Sequence, residues 1–254
     1  MAEAVTHPLS VVIITLNEAD NIEDCIRSVG WADEVLVVDS GSMDDTVSIA
    51  ESLGARTLHH DWQGFGRQKQ YATDQAMHDW ILNLDADERP DQQLCASIQQ
   101  ALSQNEQPAA YSCNFRHRMM GRWLRHGEAW PDPHIRMYNR KHAHWKQLPI
   151  HEHIEVLGDI RPVAGCIEHC TADSVADIFT KINHYTDLQA EQMLNSNAAA
   201  GLFSLFARPL WRFVRNYFFR LGFLDGTAGL VHAVQGSFTT FLKYAKTIEK
   251  RQNP

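Results

Sequence analysis

A chain of 254 residues, 44% apolar and 21% charged, has room for one large α/β domain with an appendage, and it shows no low-complexity tract. Its net charge of −8 argues against general nucleic-acid binding, yet leaves room for a phosphorylated ligand held by a local site. Five scattered cysteines, no signal-peptide pattern in residues 1–10 and no apolar run of spanning length lead to the expectation of a cytoplasmic protein.

The first element is "LSVVIITL", Leu9 to Leu16, a continuous β-branched run of the kind buried in a parallel sheet. A helix is expected next, with Ile22, Cys25, Ile26 and Val29 at helical spacing and Gly30 as its stop. "EVLVVDSGS" reads as a second strand ending in a polar turn. Ser42 and Asp45 then form a capping-box pattern opening a helix that closes at Gly54. "ARTLHH" reads as a short third strand, Phe65 to Asp79 as helix, and "WILNL" as a fourth buried strand.

Such alternation implies a doubly wound, mostly parallel sheet, in which ligands bind beyond the carboxyl ends of the strands. Three polar clusters fall there: Thr15, Asn17 and Glu18; Asp39 to Ser42; and Asp85, Asp87 and Glu88. Carboxylates packed as closely as the last three repel one another unless a cation sits among them. Hard oxygen donors suit Mg2+ or Mn2+, which commonly bind through one or two carboxylates together with substrate phosphates.

Beyond residue 90, Leu94, Ile98, Ala101 and Leu102 mark one more helix, and "YSCNFRH" alternates like a half-exposed strand. Residues 120–170 read as part sheet and part loop, and from Ser174 onward the chain reads mostly helical. Within that helical part, residues 202–221, "LFSLFARPLWRFVRNYFFRL", place Phe203, Phe206, Leu210, Phe213, Val214, Tyr217, Phe218 and Leu221 on one face of a helical wheel. Arg208, Arg212, Arg215 and Arg220 fall on the other face. Two readings stand open: an interfacial helix on an anionic membrane surface, or the same apolar face packed on the catalytic domain. Pro209 is expected to kink the helix, and Phe219 falls off the apolar face.

The segments "VVIITLNEADNI", "VLVVDSGSMDDT" and "WILNLDADE" resemble, in order and spacing, the signature segments of family 2 glycosyltransferases. The resemblance covers roughly residues 10–105. "PIHEHIEV", "IEHCTADSVADIFTKINHYT" and "GFLDGTAGLVHAVQGSFTTFLKYAK" are similar to a narrower group containing lipopolysaccharide core glucosyltransferases. It implies a GT-A type, Rossmann-like α/β fold over residues 1–170, with a nucleotide-sugar half at about 9–105 and an acceptor half at about 106–170. A helical region follows over 171–254.

The resemblance further implies an inverting, metal-dependent transfer of a sugar, glucose by expectation, from a UDP-sugar to a lipopolysaccharide inner-core heptose or similar glycolipid. Another lipid-linked or peptide acceptor, or a UDP-sugar-binding protein without turnover, are the alternatives. A lipid-borne acceptor would be met at the inner face of the inner membrane.

Residue by residue, Thr15, Asn17 and Asp39 would line the nucleoside pocket, with Glu18 beside them. Lys69 stands where the family often has an arginine near the nucleotide. Asp85 would face the ribose or donor sugar, Asp87 would bind the metal, and His169 would complete the metal site. Glu152, in "HEH", is the candidate general base that similarity to the narrower group implies, this chain lacking the Glu-Asp pair that supplies the base in many relatives; Asp132 is the fallback. Plainer readings accompany these: Asp39 as a turn cap, His151 and His153 as strand residues rather than zinc ligands, and Trp123, Trp130 and Trp145 as packing residues. "CIEHC" lacks the second cysteine pair that a structural zinc site would need.

Overall fold

The structure, a computed structural model, describes residues 7–146, 153–169, 175–196 and 200–252. The chain divides into two compact units, one of residues 1–115 and 133–170, the other of 116–132 and 171–254.

In the first unit, β1 (Leu9–Thr15), β2 (Glu34–Asp39), β3 (Arg56–His59) and β4 (Trp80–Asp85) pair in the parallel order β3-β2-β1-β4. Every residue of β1 is buried, as its unbroken β-branched run requires of a strand covered on both faces. Val11 and Ile13 face a core shared with α1 (Ile22–Ser28), α2 (Thr46–Ser52) and α4 (Gln92–Leu102). Val12 and Ile14 face the other core, which α3 (Phe65–Gln75) covers. Each such side chain contributes about 1.5–3 kcal/mol through its removal from water.

The sheet is parallel over those four strands and holds antiparallel pairs beyond them, so it is mixed. β8 (Pro133–Asn139) runs antiparallel to β4, β6 (Ala110–Met119) antiparallel to β8, and β11 (Ile160–His169) with β5 (Glu88–Pro90) completes the row. The short β7 (Arg122–Trp123) pairs antiparallel with the end of β6, and a separate two-stranded ribbon joins β9 (Ala143–Trp145) to β10 (Ile154–Val156). Residues expected to be part loop therefore hold several short strands, whose alternation is broken by Pro, Arg and His in the sequence. β11 crosses close over α4 at Gly165, where a Cβ would lie 2.2 Å from the Leu94 nitrogen and φ is +97°. Glycine alone fits there.

Two helix boundaries differ from the sequence expectation. α3 stops at Gln75, four residues short of Asp79, because the Met77 N–H donates to Glu34 Oε2 (2.7 Å) and the His78 N–H to Ser10 Oγ (3.0 Å). α2 begins at Thr46 with no side-chain cap, and Ser42 belongs to the turn instead: its hydroxyl accepts from the Asn17 N–H at 2.8 Å and bonds to the Asp39 carboxylate.

The second unit contains α5 (Val175–Asn195), α6 (Leu202–Val214), a π-helical turn (Arg215–Phe219), a 3-10 turn (Gly222–Asp225) and α7 (Gly226–Gln252). Residues 116–132, assigned above to the acceptor half, group with these helices. Their tie is polar as well as apolar. Glu128 accepts from Arg212, Arg215 and Asn216, while Asp225 accepts the backbone N–H groups of Arg125 and His126 at 2.9 Å. Met119, Leu124 and Ala129 pack with Ala228. None of the described helices is long and apolar enough to cross a membrane.

Candidate active site

The parallel pairing brings the three polar clusters to one edge. Thr15 and Asp39 are register partners at the ends of β1 and β2, and Ile14 pairs with Asp85 at the end of β4. Thr15 Oγ1 is buried without a hydrogen-bond partner among the described residues. Asn17, in the left-handed region at φ 55°, accepts from the Met43 N–H through Oδ1 at 2.8 Å. The Glu18 N–H donates to Thr46 Oγ1 (2.8 Å), and its carboxylate accepts from Asn21 Nδ2. Asp39 closes its own turn, accepting the N–H groups of Gly41 and Ser42 at 2.8 Å each. The turn-cap role is thus present; the carboxylate keeps lone pairs for a second partner.

Under this edge lies a buried ionic knot. Lys69, on α3, holds its ammonium 2.9 Å from Asp85 Oδ1 and donates to Oδ2 at 3.1 Å. The ammonium also sits 5.1 Å from the Trp145 ring centroid, and Trp145 is a core residue. Arg136, delivered by β8, donates to Glu88 Oε1 at 2.7 Å and lies 3.6 Å from Asp85 Oδ2. Burial opposes ionisation of Asp85, but Lys69 and Arg136 outweigh it and hold the carboxyl well below the usual range. For Glu88 burial, reinforced by the charge of Asp85, prevails over Arg136 and pushes the carboxyl up. The carboxyl groups of Asp85 and Glu88 are thus met by Lys69 and Arg136, two cations of the protein itself.

Asp87 stands apart from that knot. β5 pairs with β11 so that Glu88 is opposite His169, and this register sets His169 Nε2 3.0 Å from Asp87 Oδ2. Burial lowers the pKa of His169, while the hydrogen bond and charge of Asp87, with Glu88 and Asp85 behind it, raise it on balance. Both side chains are partly exposed. The donor set fits Mg2+ or Mn2+, which keep several waters and bind through few protein ligands plus phosphate oxygens. Among the described residues no group of three or more His, Cys, Asp and Glu forms a metal cage, and a diphosphate and water are ligands that such an ion commonly takes.

Glu152 and His151 lie outside the described residues, as does Cys170. Cys166 is buried with its thiol donating to Asp91 Oδ2 at 3.0 Å. Asp132 Oδ2 lies 2.9 Å from His117 Nε2 within the second unit. Arg136 was missed in the sequence. Its signal is a lone charge inside the apolar run Ile135–Tyr138, which in a buried strand demands a carboxylate partner.

The sequence pattern described as glycosyl transferase family 2 matches residues 10–157, more than half of the chain. The chain belongs to family 2 of the glycosyltransferases. An uncharacterized glycosyltransferase of Rickettsia typhi is 30% identical over 95% of this chain and 87% of its own length. A lipopolysaccharide core biosynthesis glycosyltransferase, LpsC of Rhizobium meliloti, is 28% identical over 96% of this glycosyltransferase and 93% of that protein. A solved structure of glucosyl-3-phosphoglycerate synthase from Mycobacterium tuberculosis, with Mn2+, UDP and glucosyl-3-phosphoglycerate, covers 44% of each chain at 26% identity and a TM-score of 0.37.

Proposed function

We propose that this glycosyltransferase moves a sugar, glucose by expectation, from a UDP-sugar to a hydroxyl of a lipid-borne saccharide, with a lipopolysaccharide inner-core heptose as the acceptor. The observation that carries the reading is the Asp87–His169 pair, 3.0 Å apart at the strand edge beside the loops of Thr15 to Glu18 and Asp39 to Ser42. The acceptor side of the reading is supported by full-length similarity to a protein of lipopolysaccharide core biosynthesis.

In this reading Thr15 offers its unmet hydroxyl, and Asn17 and Asp39 their remaining acceptor capacity, to the nucleoside, with Glu18 ordering the loop through Asn21 and Thr46. Lys69 is a positioning residue: it fixes Asp85, kept ionised, toward the ribose or donor sugar. Asp87 and His169 would hold Mg2+ or Mn2+, which when bound supplies Lewis-acid stabilisation of the leaving diphosphate. The acceptor oxygen forms the new bond to the anomeric carbon as the bond to the diphosphate oxygen breaks, and UDP departs. The hydroxyl proton passes to a carboxylate, assigned to Glu152. A single displacement from the face opposite UDP inverts the anomeric centre.

The testing experiment measures UDP release across UDP-sugars, with and without a truncated core acceptor. Release that requires both partners supports the reading; release indifferent to the acceptor speaks against it.

A further inference from the structure

The structure places the apolar face of segment 202–221 outward within its unit. Its arginines turn toward the unit's own polar interior. Arg208 Nη1 donates to the Tyr244 hydroxyl (2.7 Å), Arg212 to Glu128 Oε2 (2.9 Å) and Thr240 Oγ1 (2.9 Å), and Arg215 to Glu128 Oε1 (3.1 Å). The apolar face is left outside: Phe203 is 81% exposed, Phe219 69%, Phe206 and Leu210 64% each, and Trp211 57%.

The π-helical turn Arg215–Phe219 explains why Phe219 joins them. A wider turn rotates the residues after it, and the Phe219 ring comes to 5.9 Å from that of Trp211. Leu202, Phe218, Leu221, Phe223 and Leu224 extend the same exposed apolar character. A surface of this kind on a monomeric chain marks a contact site.

Charge decides what it contacts. No Asp or Glu occurs between Glu191 and Asp225, in a chain whose net charge is −8. Asp225 and Glu128, which bond to this segment and its neighbours, are both engaged, by His126 with its neighbouring N–H groups and by the arginines. Arg122, Arg125 and Arg220 are exposed, with no ion-pair partner among the described residues. They lie beside the 3-10 turn that carries Phe223 and Leu224: the Gly127 N–H donates to the Arg220 carbonyl at 2.8 Å, the Arg125 N–H to Asp225, and Arg122 Nη1 would lie 3.2 Å from a Cβ on Gly226. A second copy of this chain would bring the same cations into a self-complementary contact with no carboxylate to answer them. An anionic bilayer offers hydrocarbon for the aromatic rings and phosphates for the guanidinium groups.

We infer that the exposed aromatic face of residues 202–224 inserts into an anionic lipid surface, with Arg122, Arg125 and Arg220 on the headgroups. The internal Glu128–Arg212–Arg215 cluster is the positioning device that keeps the rings turned outward. The inference extends the reading of a lipid-borne acceptor, and acceptor-free vesicles test it separately from transfer.

The test is flotation of the full chain with vesicles of phosphatidylethanolamine and phosphatidylglycerol, and with vesicles of phosphatidylcholine alone. The combined variant Phe203→Ser, Phe206→Ser, Leu210→Ser and Phe219→Ser should reduce binding to the anionic vesicles by a factor of about ten or more. Replacing Arg122, Arg125 and Arg220 by Gln should remove the preference for anionic over zwitterionic vesicles. On the native chain, brominated lipid should quench tryptophan emission, and Trp211→Phe should lose that quenching, which needs no folding control on the fourfold variant. Equal flotation of native and apolar variant, absence of native binding to either vesicle, or a native dimer that the apolar variant converts to monomer would overturn the inference.

Discussion

Arg136 Nη2 lies 2.7 Å from Glu88 Oε1, and both side chains are almost wholly shut off from water beneath Asp85. The same guanidinium reaches Asn83 Oδ1 at 3.3 Å, and Glu88 Oε2 accepts the Asp85 N–H at 3.0 Å. The pair therefore fixes the backbone from which both Asp85 and Asp87 project. Arg136→Met leaves Glu88 buried against Asp85 without its cation. The expected cost is about 3–5 kcal/mol in urea unfolding, because Glu88 stays buried without its partner. Arg136→Met combined with Glu88→Leu should recover part of that loss. A cost for Arg136→Met within experimental scatter of zero would mean that the pair is dispensable.

Glu34 gives the fold a pH dependence. Burial works against its ionisation, but Ser10, the Met77 N–H and Arg56 prevail and lower its pKa. A carboxyl whose folded pKa lies below its unfolded value of about 4.3 adds stability above that value, and loses it as pH falls through the folded pKa. Resistance of the native chain to thermal unfolding should thus weaken as pH falls below the unfolded value and through the lower folded one. Glu34→Gln should lower stability at neutral pH and flatten that slope. Parallel curves for the two proteins would assign the acid sensitivity elsewhere.

Removal of the metal donors separates chemistry from folding. Asp87→Ala and His169→Ala should each lower sugar transfer by a factor of about 10² or more, since charge stabilisation at a leaving group is worth several kcal/mol. Circular dichroism should be unchanged, because both side chains lie outside the buried knot. Excess chelator should reproduce the loss in the native enzyme. Full activity in chelator, with metal removal verified, contradicts the assignment.

The assignment of the base rests on Glu152. Glu152→Gln should depress turnover by a factor of about 10² or more while UDP-sugar affinity changes little. A collapse of affinity would instead put Glu152 in the donor site, and no change in either quantity would send the search to other carboxylates.

The strand-helix alternation from Leu9 to Leu102 was legible because each element is local and its periodicity survives burial: β1, β2, β4 and α4 fall where the pattern puts them. The polar clusters at the strand ends followed from that topology. Arg136 did not, because its partner Glu88 is far away in sequence and on another strand, and the antiparallel β8–β4 pairing helps bring them together. Ser42 looked like a helix cap, but hydrogen bonds to Asn17 and Asp39, set by the β1–β2 pairing, take it into the turn. The wheel of residues 202–221 separated apolar from cationic faces correctly. It had no means of telling which face the unit would take inward, since Glu128 and Thr240 lie on other segments.

The central claim is tested most directly by incubating the enzyme with UDP-glucose, Mn2+ and a truncated core acceptor ending in heptose, and following UDP together with the anomeric configuration of the product. The account predicts acceptor-dependent release of UDP and a product of inverted configuration. Binding of UDP-glucose without acceptor-dependent release, or a product of retained configuration, would contradict it.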